Sequence, residues 1–376
     1  MQNKKEQLIF RMKNNNKRNP LILLIAIVLF GCKEHKIITN TPVADVENTF
    51  MNPLLDSGAD PWTIYYEGNY YYIKSEGKGI TLLKTSDITD LRHAESKVIW
   101  TAPEKGDYSR NIWAPEIHNI EDKWYVYVAA DDGDNRNHRM FVLENTEANP
   151  FEGTFVMKSK LKTDANDNWA IDGSIFEHQG NLYFIWSGWE KPKEVSETQN
   201  IYIARMSDPW TISSERVLLS TPELEWEKNW SYPDVWTPDA PVYVNEGPQM
   251  LAHGDKIHII YSASGCWTPY YALGILTADI HSNLMDKASW TKAKQPIFKQ
   301  SEANRVYGTG HNSFFKSPDG TEDWVLYHAN DNPTDGCGNK RSPRAQKMSW
   351  DSNDMPVLGV PYPTTMKLTK PSGTMK

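Results

Sequence analysis

The stretch Asn168-Trp169-Ala170-Ile171-Asp172-Gly173 begins a unit that the rest of the chain repeats. The unit continues through the turn Gln179-Gly180-Asn181 and ends in the run Leu182-Tyr183-Phe184-Ile185-Trp186. An acid followed by two β-rich runs around a Gly-Asn turn predicts a β-hairpin whose first strand begins near that acid.

Four other stretches have the same order of polar leader, short apolar run, turn and second apolar or aromatic run. The five leaders are Asp60, Glu116, Asp172, Glu246 and His311. Repeated units of several short strands are the sequence signature of a β-propeller. Long helical periodicity is absent, whereas short strands and turns recur throughout. We therefore predict an all-β, five-bladed β-propeller that forms a single domain over residues 52–368.

Each unit also contains a third apolar run, which we predict to be an outer strand of the same blade. These runs are residues 80–85, 139–144, 200–205, 272–277 and, more weakly, 344–348. The longest connection between units, residues 221–243, contains three tryptophans and four prolines. Long connections of this kind are often functional, so we expect a wall beside the site; a packed surface excursion is the alternative.

The N-terminus has the pattern of a targeting segment. Basic residues precede an apolar run at residues 21–30, which is too short to span a bilayer and indicates a signal peptide over residues 1–31. Gly31 before Cys32 resembles a bacterial lipobox, so we expect Cys32 to be lipidated and residues 32–51 to be a tether. This predicts a lipoprotein held on a bacterial membrane, most simply the outer membrane; a plain signal peptide is the alternative.

The charge of the chain argues against nucleic-acid partners. The formal net charge is −8, and loss of residues 1–31 would remove six basic residues and one acid. An acidic protein repels phosphates. No P-loop or Gly-rich dinucleotide motif is present, so no organic cofactor is expected. The 15 tryptophans and 18 tyrosines mostly suit strand packing, and a few exposed rings would suit stacking on sugars.

The five leaders predict a functional site on the axis of the propeller. The first strand of each blade lines the axis, so residues at matched positions form a ring around it. Four carboxyl groups and one imidazole are costly to bury there without a function. Hydrolysis of a glycosidic bond needs two carboxyl groups, one that donates a proton and one that activates water or attacks the sugar.

Blade order assigns the roles. Asp172 and Glu246 lie on consecutive blades, and like charges at short range disfavour ionising both. We expect Glu246, with the longer side chain, to be the general acid, and Asp172 to be the ionised partner that raises its pKa and orients it. Asp60 faces Glu246 across the opening as general base. Room for a water between them fits the inverting separation of roughly 6.5–9.5 Å better than the retaining one of roughly 5–5.5 Å.

At these residues the chain resembles glycoside hydrolase family 43. The matching motifs are Asn52-Pro53 with Gly58-Ala59-Asp60-Pro61, Trp113-Ala114-Pro115-Glu116, Ala170-Ile171-Asp172-Gly173, Asn245-Glu246-Gly247-Pro248 and Gly310-His311-Asn312-Ser313-Phe314. The resemblance implies a five-bladed propeller, inversion, and the same three roles for Asp60, Asp172 and Glu246. It also implies a Ca²⁺ on the axis near His311, and sugar contacts from Trp113 and Arg344.

Residues 129–134 and 185–189 resemble the α-L-arabinofuranosidases of that family, which adds Trp189 to the expected substrate-binding residues. The expected activity is exo-acting release of L-arabinofuranose from arabinan or arabinoxylan. A β-xylosidase or an endo-arabinanase is the alternative within the family. A non-catalytic carbohydrate-binding propeller is the alternative of another class, although such a relative is expected to have lost at least one of the three acids.

Two cysteines remain if Cys32 is lipidated. Cys266 and Cys337 follow the second strands of the last two units and so lie on adjacent blades. The sequence allows either a disulfide, as an oxidising compartment favours, or two free thiols.

Overall fold

Five antiparallel sheets, arranged as blades, follow one another along the chain in the computed structural model, which describes residues 48–191 and 197–375. The signal peptide, Cys32 and most of the tether lie outside these residues. The short clasp strand β1 (Thr49–Phe50) precedes the blades. In each blade a hairpin of the kind the repeated turns predict is extended by the predicted outer strand and then by one or two more strands.

The strands are consecutive within each blade. Blade 1 contains β2 (Trp62–Tyr66), β3 (Asn69–Glu76), β4 (Gly79–Thr85) and β5 (Glu95–Thr101). Blade 2 contains β6 (Arg110–Ile120), β7 (Lys123–Asp131), β8 (Arg139–Asn145) and β9 (Val156–Leu161). Blade 3 contains β10 (Ala170–His178), β11 (Asn181–Trp189), β12 (Gln199–Asp208), β13 (Thr211–Ile212) and β14 (Val217–Ser220). Blade 4 contains β15 (Asn245–His253), β16 (Lys256–Ala263), β17 (Ala272–Asp279) and β18 (Thr291–Lys292). Blade 5 contains β19 (Tyr307–Lys316), β20 (Asp323–Asn330), β21 (Ser342–Trp350) and β22 (Pro356–Val357).

The helical content of the described residues is limited to 3₁₀ turns, which include Ile88–His93, Asn135–Asn137, Glu225–Glu227 and Lys287–Ser289. In the part of the chain that the structure describes, no helix is long and apolar enough to cross a membrane. The five-bladed all-β propeller predicted from the repeats is confirmed.

Alternation along the second strands supplies the cores between blades. In β3, Tyr70 and Tyr72 pack against blade 5, whereas Tyr71 and Ile73 pack against blade 2. Five such buried clusters lie at the five junctions between neighbouring sheets. Because successive side chains of a strand point to opposite faces, a strand rich in large apolar residues on both faces needs a sheet on either side. A closed ring gives every blade a neighbouring sheet on both faces.

The segment before blade 1 runs beside blade 5 and completes the ring. Asn52 exchanges two hydrogen bonds with the backbone of Ala345 in β21, at 2.9 and 3.0 Å. Further along, the Gly58 amide donates to the Arg341 carbonyl at 3.0 Å. β1 also pairs with the last strand, β23 (Leu368–Thr369). This route delivers Asp60 to the axis next to blade 5.

Backbone irregularities place the leaders at the axis. The pairing of β10 shifts register between Ile171 and Ser174, and Asp172 in between has φ of 55°. His311 in β19 has φ of 48°, and Asp60, just before β2, has φ of 54°. A β-bulge turns a side chain out of the regular alternation. The left-handed conformation costs about 1–2 kcal/mol for a residue with a side chain, so the fold retains strain at these positions.

A disulfide joins Cys266 to Cys337, with their Cα atoms 5.3 Å apart. Of the two alternatives that the sequence allows, the structure therefore has the bonded one. The bond connects the β16–β17 loop of blade 4 to the β20–β21 loop of blade 5. Both loops lie at the end of the propeller where the first strands begin, which is the end that carries the leaders.

Candidate active site

Four of the five leaders meet at this end of the axis. Asp172, Glu246 and His311 each offer a ligand atom within 4.8 Å of the others, and the His311 Nδ1 lies 3.2 Å from Asp60 Oδ1. All four side chains are largely buried: Asp172, Glu246 and His311 expose 4–9% of their surface, and the Asp60 side chain exposes 18%. The structure therefore brings together the three acids that the sequence proposes for catalysis.

Asp60 is surrounded by nitrogen atoms. Its carboxylate accepts from the Arg341 guanidinium at 3.1 Å, faces His311 at 3.2 Å, and lies 3.4 Å from His328. Burial by itself would raise the pKa of Asp60, but the charges of His311 and Arg341, together with the contact from His328, lower that pKa far below its usual range. Asp60 is therefore ionised, as a general base must be.

His328 stays neutral and connects two parts of the site. Its Nδ1 accepts the backbone N–H of Asp60 at 3.1 Å, and burial lowers its pKa to about 4. The imidazole ring lies parallel to the Tyr271 ring, with the centroids 5.6 Å apart. Tyr271 in turn donates its hydroxyl hydrogen to Glu246 Oε1 at 2.7 Å. Asp60 and Glu246 are thus positioned by one continuous set of contacts.

Glu246 and Asp172 have the opposite environment. Burial raises the pKa of both carboxyl groups, and that of Asp172 rises to about 8. His311 opposes the rise in both cases, the Gly247 amide donates to Asp172 at 3.1 Å, and Tyr271 donates to Glu246. Two neighbouring carboxyl groups in such a site share a proton and titrate as a unit.

This pair differs from the sequence expectation in one respect. We expected Asp172 to be the ionised partner of a protonated Glu246, but Asp172 is itself 4% exposed and resists ionisation. The desolvation of both groups, in addition to their mutual repulsion, keeps a proton on the pair. His311 lies beside all three acids, and although burial lowers its pKa, the charges of Asp60, Asp172 and Glu246 raise it above the usual value.

Glu116, the remaining leader, is engaged elsewhere. Its carboxylate accepts from the Gln249 amide and contacts His118 Nε2 at 3.0 Å. Glu116 is 4% exposed, and its partners leave it as a buried polar support for the first strands of blades 2 and 4. It contributes to the raised pKa of His311 through its charge.

Trp113 offers a partly open aromatic face. It is 37% exposed and lies on the His138 ring with the centroids 3.9 Å apart. His138 is completely buried, 3.0 Å from Asp131 through Nδ1 and 3.1 Å from the Asn111 carbonyl through Nε2. Trp113 is therefore a rigidly supported ring at the open end of the propeller, which suits the substrate contact expected of it.

Trp189 and Arg344 are placed differently from the expectation. Trp189 is 4% exposed and stacks on Trp169 at 4.7 Å, so its ring belongs to the core between blades 2 and 3. Arg344 has no exposed surface and donates to Asp331 at 2.8 Å. Trp189 is as buried as Asp172, and Arg344 has two nitrogen atoms without a hydrogen-bond partner among the described residues, so a sugar contact from either side chain stays a prediction. Arg341, three residues earlier, is the arginine that reaches Asp60.

The residues that sequence reasoning missed are Arg341, His328 and Tyr271. They come from the β20–β21 loop, from β20 and from the loop before β17, none of which carries a repeated leader. Their only sequence signal is proximity to Cys337, to the aromatic run of blade 5 and to Cys266.

The donors around His311 are compatible in part with the calcium ion expected on the axis. Asp172, Glu246 and His311 each offer one ligand atom within 4.8 Å of the others, but Glu246 holds its proton as the general acid, so His311 would be the main protein ligand of the ion. The Nδ1 of His311 faces Asp60, which leaves Nε2 for an ion. Ca²⁺ prefers six to eight oxygen ligands, so most of its shell would come from water.

Comparisons with known proteins agree with this geometry. A family model described as glycosyl hydrolases family 43 matches residues 50–356. An extracellular exo-alpha-(1->5)-L-arabinofuranosidase of Streptomyces avermitilis is 36% identical over 350 residues, which cover 91% of this chain and 69% of the relative. Alpha-L-arabinofuranosidase 43 of Humicola insolens is 34% identical over 84% of this chain and 64% of its own length. The crystal structure of an alpha-L-arabinofuranosidase from Lactobacillus brevis aligns with a TM-score of 0.76 and 30% identity, covering 84% of this chain and 98% of that one.

Proposed function

The chain belongs to glycosyl hydrolases family 43, and from that premise we propose that it is an inverting exo-α-L-arabinofuranosidase. Its substrates are arabinan or arabinoxylan-type plant polysaccharides and their oligosaccharides, from whose ends it releases L-arabinofuranose. The names of its relatives support the sugar, and the carboxyl groups at the axis support the reaction.

Asp60 and Glu246 carry out the two proton transfers. Asp60 takes a proton from a water molecule, whose oxygen bonds to the anomeric carbon. Glu246 gives its proton to the glycosidic oxygen as the bond to that oxygen breaks. Water attacks from the face opposite the leaving group, so the configuration at the anomeric carbon inverts. Asp172 helps to keep the proton on Glu246 until the transfer, and solvent afterwards restores both protonation states.

One arrangement carries this proposal: three acids meet at one end of the axis, with Arg341 and His311 beside Asp60 and with Asp172 and Glu246 buried together. Nitrogen donors lower the pKa of Asp60, whereas burial raises the pKa of Asp172 and Glu246. A base that is ionised beside an acid that is protonated is what hydrolysis of a glycoside needs.

Product analysis on several substrates tests the proposal. We expect release of arabinose from 4-nitrophenyl α-L-arabinofuranoside and from debranched arabinan, with little release from the matching β-xyloside. Proton NMR in the first minutes should show the inverted anomer before mutarotation. Xylose as the main product would favour a β-xylosidase, and internal cleavage of dyed arabinan would favour an endo-arabinanase. Binding without turnover would favour a carbohydrate-binding propeller.

The calcium ion remains a proposal with its own test. Metal analysis of purified protein, before and after dialysis against EDTA, should show about one Ca²⁺ per chain that stabilises the fold against heat. His311→Ala should abolish the bound Ca²⁺. The proton transfers proposed above require no metal.

We also propose that the protein is exported and anchored through lipid on Cys32. The extracellular relative from Streptomyces supports export, and the motif around Cys32 supports the anchor. Mass spectrometry of the mature N-terminus should find a diacylglyceryl group on Cys32, and Cys32→Ser should release the protein from the membrane fraction. An unmodified N-terminus at another position would favour a plain signal peptide.

A further inference from the structure

The exposed aromatic rings of the described residues gather at the catalytic end. Trp236 is 71% exposed, Tyr270 is 40% exposed and Trp113 is 37% exposed. Trp236 lies in the segment that leads into β15, and Tyr270 lies in the loop that leads into β17. The other exposed large hydrophobic residues of the described chain are aliphatic.

Trp236 and Tyr270 are held by a defined set of contacts. Trp236 meets the buried Trp267 edge to face at 5.6 Å, and Trp267 donates its indole hydrogen to the Trp230 carbonyl at 2.6 Å. Tyr232 meets Tyr270 in the same manner at 5.7 Å. An exposed ring supported in this way loses little conformational entropy when a ligand covers it.

Further contacts fix the connection that carries Trp236, residues 221–243, to blade 4. The Gly265 amide donates to the Asn229 carbonyl at 2.8 Å. Glu227, which is completely buried, accepts from Tyr261 at 2.9 Å and forms an ion pair with Lys292 at 2.8 Å. The aromatic rings are therefore carried by a segment that is anchored in the blade, and the exposure of Trp236 favours a binding surface over a packed surface excursion.

The aromatic patch formed by Trp236 and Tyr270 lies on the side of the general acid Glu246. Tyr271, the residue after Tyr270, donates to Glu246. Glu246 protonates the leaving oxygen, so the part of the substrate that leaves must extend from Glu246. For an enzyme that removes a terminal sugar, the leaving part is the remainder of the chain.

We propose that Trp236 and Tyr270 form a binding surface for the leaving sugar chain, on the side of the general acid Glu246. This inference rests on the proposed function and deepens it, because it makes a neutral pentose oligosaccharide, rather than a single arabinoside, the preferred substrate. Apolar faces of sugar rings suit aromatic rings that expose a large flat surface.

Charge restricts the occupant to a neutral chain. The exposed residues around Trp236 include Asp234 and Asp239, and the chain as a whole is acidic. A polyanionic polysaccharide would be repelled at this surface. Neutral linear arabinan meets no such repulsion.

Kinetics on short and long substrates test this surface. Trp236→Ala and Tyr270→Ala should each raise KM for arabinohexaose about tenfold, as loss of an aromatic anchor does, while kcat/KM for 4-nitrophenyl arabinofuranoside stays within about twofold. Val98→Ala, an exposed side chain on the outer strand of blade 1, is the matched control and should change neither.

Other results would contradict the proposed binding surface. Equal losses on both substrates would mean that the rings support the catalytic residues instead, and no loss on either would mean that the chain does not touch them. A smaller particle for Trp236→Ala in size-exclusion chromatography would show that a second copy of the protein covers the patch.

Calorimetry separates this inference from the proposed function. Arabinohexaose should bind to the Asp60→Asn protein and bind about tenfold more weakly to the Asp60→Asn, Trp236→Ala double variant. If the wild-type protein hydrolyses neither substrate but this difference persists, the surface stands and the hydrolase proposal fails. Equal affinities would overturn the surface, whatever the wild-type activity.

Discussion

Asp60 and Asp172 are both aspartates at matched positions of two blades, and their φ angles are 54° and 55°. Their pKa values nevertheless shift in opposite directions, downward for Asp60 and upward for Asp172. Asp60 contacts Arg341 and His311 and lies beside His328, so it stays ionised. Burial raises the pKa of Asp172 and the neighbouring Glu246 adds to the rise, which His311 and the Gly247 amide only partly oppose, so Asp172 resists ionisation. The backbone sets where each carboxyl group lies, and the neighbouring blades set its charge.

The difference shows how a repeated architecture supports an asymmetric reaction. Five similar hairpins would give five similar environments if the axis were all that mattered. The loops of blade 5 add a cation on one side of the axis, and blade 4 adds a tyrosine on the other. Two groups of one chemical kind can then act as base and acid because their environments move their pKa values apart.

Removal of either acting carboxyl group should have the largest effect. Asp60→Asn and Glu246→Gln are each expected to lower kcat on arabinan by about 10²–10⁴, which is the usual contribution of a positioned acid or base. Steady-state kinetics would measure the loss, and circular dichroism with a melting curve would show that each variant is folded.

Substrates with different leaving groups, and an added nucleophile, then distinguish the general acid from the general base. A dinitrophenyl arabinofuranoside needs no proton on departure, so it should restore turnover to Glu246→Gln but not to Asp60→Asn. Added azide, which needs no base, should restore turnover to Asp60→Asn only. Near-normal kcat in either variant, or the reverse pattern of rescue, would remove the assignment of base and acid.

Weakening the cationic side should have an intermediate effect. Arg341→Met removes a charge that favours ionised Asp60, so the pKa of Asp60 rises and the acid limb of the kcat/KM profile moves to higher pH. The pKa of Asp60 is lower in the folded than in the unfolded protein. Ionised Asp60 therefore stabilises the folded protein at pH values above its unfolded pKa, and this contribution is lost as the pH falls towards the folded pKa. We expect the loss of kcat/KM relative to the wild-type protein to grow as the pH falls and to be smallest at pH 7.

The conservative variant gives the control for this charge. Arg341→Lys retains the positive charge and should leave the acid limb near its original position. If Arg341→Met lowers kcat by the same factor at every pH, the arginine orients the substrate or the loop and does not hold the charge of Asp60.

Changing the tyrosine should have the smallest effect on kcat/KM and should act on the opposite limb of the pH profile. Tyr271→Phe removes a hydrogen bond that favours ionised Glu246, so the pKa of Glu246 rises. The alkaline limb of kcat/KM reports loss of the proton from the acid pair, whose pKa values burial raises, and it should move upward. We expect a loss of less than about tenfold at pH 6, the scale of one hydrogen bond.

A second tyrosine–glutamate pair provides the control. Tyr125 donates to Glu144 at 3.2 Å on blade 2, and Tyr125→Phe should leave the pH profile unchanged. A downward move of the alkaline limb in Tyr271→Phe would contradict the proposed direction of the hydrogen bond's effect on Glu246.

Much of the fold is readable from the sequence because a propeller repeats its pattern. The turns Glu67-Gly68, Gln179-Gly180 and Gly254-Asp255 lie between consecutive strands, as the repeats predict. The continuous run Tyr70-Tyr71-Tyr72-Ile73 in β3 is typical of a strand buried on both faces, and β3 packs against a neighbouring blade on each face. The short outer strands such as β13 and β18 give no such signal, because two residues show no period.

The site is only half readable, and its residues show why. Asp60, Asp172, Glu246 and His311 are recognisable because each begins a repeated unit, and equal register in a ring means convergence. The resemblance implies sugar contacts for Trp189 and Arg344, but the burial of these two side chains depends on which blade covers them. Trp189 faces Trp169, and Arg344 faces Asp331.

The sequence by itself determined the number of blades, the order of the strands and which side chains point at the axis, since all three follow from local patterns that recur. Only the tertiary structure decided which acid is charged. Arg341 lies 281 residues from Asp60 in the chain, and Tyr271 lies 25 residues from Glu246. Electrostatic interactions depend on distance in space and on burial, and neither is defined until the ring closes.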